Sequence, residues 1–166
     1  AISIVGILRY FLLNHRIRFS DEERRMLDDV LPDMPKPLAR RLLRRGVWSG
    51  AMPGVVLTRE GEPVTHLHYM LSGRARVLSG GAEIAVIRHG FVGEMNVLEA
   101  GPASATVEIN APSRLFTISG DSLRALCRAD SELRLFLEQW LSAATRKKLV
   151  EANMRLSAAG SEKRKA

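Results

Sequence analysis

Between residues 54 and 118 the chain breaks into six short apolar runs, 55–58, 66–71, 74–78, 83–87, 105–109 and 114–118, punctuated by glycine and polar residues. Runs this short cannot hold an independent helix, and their turn-bounded spacing predicts strands. Ser79-Gly80-Gly81, between the third and fourth runs, is the signature of a tight hairpin. A succession of short strands at such intervals predicts a sandwich or jelly roll, so the centre of the chain is expected to be all β.

Helical signals lie on both sides. Ser20-Asp21-Glu22-Glu23 is a capping box: the serine hydroxyl can accept from the Glu23 N–H while the glutamate reaches back, which predicts a helix to about Val30. Pro32, Pro35 and Pro37 exclude a continuous helix across 31–37. Helical apolar spacing resumes at Leu38, Ala39, Leu42 and Leu43 and ends at Gly46. After the strands, Asp121 is placed to cap a helix through Arg128, and Ser131 a longer one with apolar positions at 133, 136, 137, 140, 141 and 144. The expected fold class is therefore mainly β with flanking helices: a jelly roll with N-terminal helices and a long C-terminal helix. Four regions follow: an apolar and basic segment at 1–19, a helical region at 20–46, the roll with its C-terminal helices at 47–156, and a disordered basic tail at 157–166.

Charge narrows the function. The net +7 sits at the ends: residues 1–50 carry 10 Lys/Arg against 6 Asp/Glu, residues 51–130 carry 7 against 8, and residues 131–166 carry 8 against 4. A nucleic-acid-reading barrel places its cations on the barrel beside aromatic platforms, whereas this chain is 5% aromatic with a neutral centre. Direct DNA binding is not expected, since only ten residues follow Leu156 and leave no room for a helix-turn-helix module. Basic ends suit an anionic membrane surface, a partner protein or simple solvation. A single cysteine, Cys127, excludes an internal disulfide and a Cys-rich zinc site, and points to a reducing, cytoplasmic setting.

Residues 1–8 are almost wholly apolar, the pattern continues through Tyr10-Phe11-Leu12-Leu13, and His15, Arg16 and Arg18 follow. Interfacial aromatics followed by arginines mark the cytoplasmic end of a membrane helix, and the chain begins with Ala1 rather than Met, so a truncated membrane anchor is one expectation. The other is an amphipathic helix packed on the domain or on a second copy. The expected location is thus the cytoplasmic face of a membrane, or the cytoplasm if the segment packs.

The most specific pattern lies inside the β region. Glu60-Gly61-Glu62-Pro63 precedes Tyr69-Met70-Leu71-Ser72-Gly73-Arg74-Ala75-Arg76-Val77; Phe91-Val92-Gly93-Glu94-Met95-Asn96-Val97-Leu98 and Pro102-Ala103-Ser104-Ala105-Thr106-Val107 follow. In order and spacing this resembles a cyclic-nucleotide-binding domain, the double-stranded β-helix of catabolite activators and protein-kinase regulatory subunits, over roughly residues 38–156. The resemblance implies a phosphate-binding cassette formed by Gly93, Glu94, Met95, Asn96 and Val97 with Ala103, Ser104 and Ala105, taking cAMP or cGMP. Backbone N–H groups of the Gly93–Val97 turn, at the start of a short helix, suit an anionic phosphate. Glu94 matches the family's acceptor for the ribose hydroxyl. The apolar helix, basic turn and acidic helix ahead of the roll loosely resemble the membrane-anchored Popeye-domain proteins.

One position departs from the family pattern. Where the resemblance implies an arginine after the cassette proline, this chain has Ala103, which supplies neither charge nor donor. A charge-assisted contact is worth roughly 1.5–3 kcal/mol, so its loss weakens binding by about tenfold to a hundredfold or more. Three outcomes stay open: another cation such as Arg88, Arg74 or Arg76 reaches the phosphate, the pocket takes a different ligand, or the cassette is structural.

Other chemistry finds less support. His66 and His68, two apart on one strand, with His89 as a third, suggest a cupin metal site, but the position of the fourth ligand is Ser72. Cys127 lies in a predicted helix beside apolar residues, and no catalytic triad is readable. The expectation is a non-enzymatic regulatory or sensor domain without metal or catalytic residues. The alternative is a ligand-free interaction module, homodimeric through its terminal helices.

Overall fold

The computed structural model describes residues 17–94 and 96–162, and beyond Lys147 its side chains only at Val150 and Met154. The expected membrane exit or packed helix at 1–16 therefore lies outside the described residues. Two helices lead in, α1 (Asp21–Val30) and α2 (Lys36–Leu43). They are followed by β1 (Val47–Ala51), β2 (Val56–Thr58), β3 (His66–Ser79), β4 (Ala82–Ile87), β5 (Gly90–Val92) and β6 (Thr106–Ser119). Helices α3 (Gly120–Ala129) and α4 (Ser131–Glu162) close the chain.

The capping box forms as expected: Ser20 N donates to Glu23 Oε2 at 2.8 Å and Glu23 N donates to Ser20 Oγ at 3.2 Å. Helix α2 starts two residues ahead of the expected Leu38, because Pro37 falls in its first turn, where the missing N–H has no intrahelical partner to lose. Two cap assignments are corrected. Ser119, not Asp121, caps α3: β6 carries Ser119 in extended geometry up to the helix, where its hydroxyl accepts from Ser122 N at 3.1 Å. Asp130, not Ser131, caps α4, its Oδ1 accepting from the N–H groups of Glu132 and Leu133, both at 3.1 Å. Helix α4 also continues to Glu162, so residues 157–162, expected to be disordered, are helical.

All strand pairings are antiparallel, in the order β1-β6-β3-β4, with β2 on β6 and β5 on β3. The two longest strands each fuse a pair of expected ones. In β3 the chain passes through Gly73 at φ +121°, where a Cβ would stand 2.0 Å from Ser113 Oγ and 2.6 Å from Ser113 Cα, so glycine alone lets β3 and β6 approach. Ser113, buried, accepts from Arg74 N at 3.2 Å and donates to Ala111 O at 2.8 Å. Register shifts at 70–75 absorb the irregularity, so both strands bend there without breaking. Strands β1 and β5 were not expected: the first contains Ser49 and Gly50, and the second has only three residues.

Two apolar clusters result. The larger joins Met26, Leu38, Leu42, Tyr69, Phe116, Leu123, Leu133 and Leu137, and so clamps all four helices to one face of the strands. The smaller, with Met70, Ala75, Val92, Val107, Ile109 and Leu115, fills the interior of the roll. The expected apolar stripe of α4 faces inward: Leu133, Leu137 and Leu141 are buried, and Phe136, Trp140 and Ala144 half-buried. No helix among the described residues is long and apolar enough to cross a membrane.

Candidate functional site

A cleft of about 740 Å³ opens beside β4, β5 and the loop that follows β5, a volume within the range of small-molecule sites. One wall is apolar, with Val64, Val77, Val86, Val92 and Val107; the remainder brings together Gly93, Glu94, Asn96, Ala103, Ser104 and Ala105. Six of the eight expected cassette residues therefore converge on one space. Met95 lies outside the described residues. Val97 does not line the cleft: it is fully buried in the main core.

The loop's shape rests on a few contacts. Gly93 has φ +90°, and a Cβ there would meet His66 O at 2.6 Å, so no other residue allows this close approach to β3. Residues 96–100 form turns and not the expected short helix, closed by Gly101 N donating to Asn96 O at 3.1 Å and Asn96 Nδ2 donating to Pro102 O at 2.6 Å. Among the described residues of this loop there is no helix whose dipole would support an anion. Arg124 of α3 clasps the loop from behind, with Nη1 donating to Val97 O at 3.0 Å and Nη2 to Asp121 Oδ1 at 2.5 Å.

Ala103 is bonded on both sides: its N donates to Glu62 O at 2.8 Å, and its O accepts from Gly61 N at 2.9 Å. Ala105 O accepts from Thr58 Oγ1 at 3.0 Å. Glu94 is 3% exposed and lines the cleft. Among the lining residues Arg88, at the exposed rim, is the only arginine or lysine. The other two arginines considered at this point are placed elsewhere. Arg76 forks onto Glu108 with Nη2 at 3.0 and 3.2 Å from the two oxygens, and Arg74 is exposed away from the cleft.

The histidines do not assemble a metal centre. His66 Nδ1 lies 2.9 Å from Thr65 Oγ1, His68 Nδ1 lies 2.9 Å from Thr117 Oγ1, and His89 Nδ1 lies 3.8 Å from Asp29 Oδ2. Among the described residues no group of three metal-ligating side chains occurs. Burial, reinforced by the neighbouring His66, lowers His68 to about 4. The unfolded chain binds that proton below about pH 6.5 and the folded chain does not, so stability is full above that pH and falls as pH drops toward 4. Acid titration of denaturant midpoints is expected to show a loss of about 3 kcal/mol over this window, which His68→Gln removes.

Three contacts carry no signal in the sequence. Tyr69 OH donates to Asp29 Oδ2 at 2.8 Å, and burial followed by this bond raises the phenol above its ordinary range. Phe91, which lines the cleft, packs edge-on against Trp140 of α4 with ring centroids 4.4 Å apart, and Trp140 Nε1 donates to Val30 O at 2.7 Å. The wall of the cleft is thereby linked to the first helix and the last.

The family model of the cyclic nucleotide-binding domain matches residues 51–130. These residues are a cyclic nucleotide-binding domain. A protein of Rhodopseudomonas palustris named as a potassium channel is 30% identical over 100 residues, which cover 58% of this chain and 24% of the relative. The crystal structure of a cyclic nucleotide-binding domain from Methylobacillus flagellatus superposes with a TM-score of 0.73 at 22% identity, covering 82% of this chain and 83% of that one. The c-di-GMP-responsive global regulator CLP of Xanthomonas campestris superposes with a TM-score of 0.60 at 20% identity, over 74% of this chain and 63% of that one. Cyclic nucleotide-binding domains form a regulatory family, and the six-stranded antiparallel roll with flanking helices is their fold.

Proposed function

We propose that this cyclic nucleotide-binding domain is a non-catalytic sensor whose cleft takes a cyclic nucleotide. The observation that carries the reading is the convergence on one cleft of buried Glu94, the Gly93 turn and rim residue Arg88. In this reading Glu94 accepts from the ribose hydroxyl, backbone N–H groups of the turn approach the cyclic phosphate, and the apolar wall covers the base. Arg88 supplies the cation that Ala103 does not. An exposed rim arginine is screened by water, so affinity is weaker than with a buried cassette arginine. The Xanthomonas regulator responds to c-di-GMP by its name, and a larger cyclic dinucleotide is a rival ligand for the same cleft.

Glu94→Gln is expected to weaken cAMP binding about tenfold with the thermal midpoint kept, one charge-assisted contact being lost. Unchanged affinity in calorimetry would remove Glu94 from the ribose role.

A second reading has its own observations: Ala103 lacks the cation, and Val150 (51% exposed) and Met154 (67% exposed) stand uncovered on the far half of α4. There the roll is a ligand-free platform, the terminal helices carry homodimerisation, and residues 1–19 tether the chain to a membrane. Sedimentation of the full chain beside a chain lacking residues 1–19 separates the two: a monomer in both cases counts against the platform.

A further inference from the structure

Behind the cleft, where the cassette loop meets α3 and α4, lies a second recess of about 210 Å³. It is lined by Leu98, Arg124, Cys127, Arg128, Arg134 and Glu138. Helical spacing aims these groups at one space: 124, 127 and 128 share a face of α3, and 134 and 138 share a face of α4. Three guanidinium groups thus meet one carboxylate.

The donors are unequally engaged. Arg124 uses Nη1 on Val97 O and Nη2 on Asp121, and Arg134 uses Nε on Glu138 Oε1 at 2.8 Å. Arg128 is exposed and has no hydrogen-bonding or ion-pair partner among the described residues. The Arg128 fork and the Nη groups of Arg134 thus have no bond to another described residue, and both side chains border the recess. A planar guanidinium fork matches two oxygens of a tetrahedral anion, and Leu98 and the half-buried Cys127 give the recess an apolar side that raises the strength of such a contact. The Cys127 thiol, raised above its ordinary value first by burial and then by Glu138, is a neutral wall and adds no competing charge.

We propose that this recess is a second binding site, for a phosphate-type oxyanion: free inorganic phosphate or the terminal group of a phosphomonoester. It stands apart from the cleft and does not depend on what the cleft binds. Arg124 joins the two regions, because the guanidinium that borders the recess also holds the carbonyl of Val97, so occupancy registers in the cassette loop.

The test is a titration of the isotope-labelled full chain with inorganic phosphate, and in a second arm with methyl phosphate, at constant ionic strength set with sodium chloride. Saturable shifts at the amides of Leu98, Arg128 and Arg134 are expected, and Arg128→Gln, an exposed change that leaves the fold intact, is expected to weaken the apparent affinity about tenfold. Tighter binding of methyl phosphate identifies the phosphomonoester as the source, and equal or tighter binding of inorganic phosphate identifies the free ion. Shifts that do not saturate, or saturable shifts that Arg128→Gln leaves untouched, overturn the proposal.

Discussion

Ala103→Arg is expected to raise the affinity for cAMP by about tenfold to a hundredfold. The position is buried, held by main-chain bonds to Glu62 and Gly61, and borders the cleft, so a longer side chain has a fixed origin and the cleft to extend into. A guanidinium there would face the cyclic phosphate with parallel donors and lie in the same cleft as the buried Glu94 carboxylate. Calorimetry of the variant beside the natural chain measures the gain. If the variant binds no better, the anion does not sit against the Gly93 turn, and the cleft serves a ligand with another arrangement of charge.

Trp140→Ala is expected to cost about 3 kcal/mol of unfolding free energy, the low end of the range for removing a large core aromatic because the ring is half-buried. Its ring meets Phe91 edge-on and its Nε1 reaches Val30 O, so one side chain fastens α4 to both the cleft wall and the end of α1. Trp140→Phe keeps a ring and loses the hydrogen bond, for an expected cost of about 1 kcal/mol from the bond. Denaturant unfolding of both variants checks the order. A loss below 1 kcal/mol for the alanine variant would mean that α4 is not docked on α1 through this residue.

How far the sequence could be read depended on how local each signal was. The Ser20 to Glu23 capping box and the 133, 137, 141 stripe involve neighbours on one turn or one helix face, and both stand as expected. The cassette was recognisable because Gly93 and Glu94 keep their order before Pro102, and the fold brings both ends of that loop to the cleft. Fused strands were not legible: runs 66–71 and 74–78, like 105–109 and 114–118, stand apart along the chain, and only the pairing of β3 with β6 across Ser113 shows that the gaps between them are bends. Strand β1 is defined by its register on β6, Trp48 opposite Phe116, and not by alternation within five residues. Cap identity at Ser119 and Asp130 depended on where the preceding element stops. The burial of Val97 was likewise not legible, since whether a loop side chain enters the core depends on what the fold places around it.

In the proposed reading the cleft is a working cyclic-nucleotide site despite Ala103. Calorimetric titration of the full chain with cAMP and with cGMP tests it most directly. Saturable one-to-one binding of at least one of them is the result predicted. Absence of binding to both at millimolar ligand would contradict it and leave the cleft to another ligand or the roll to the role of a platform.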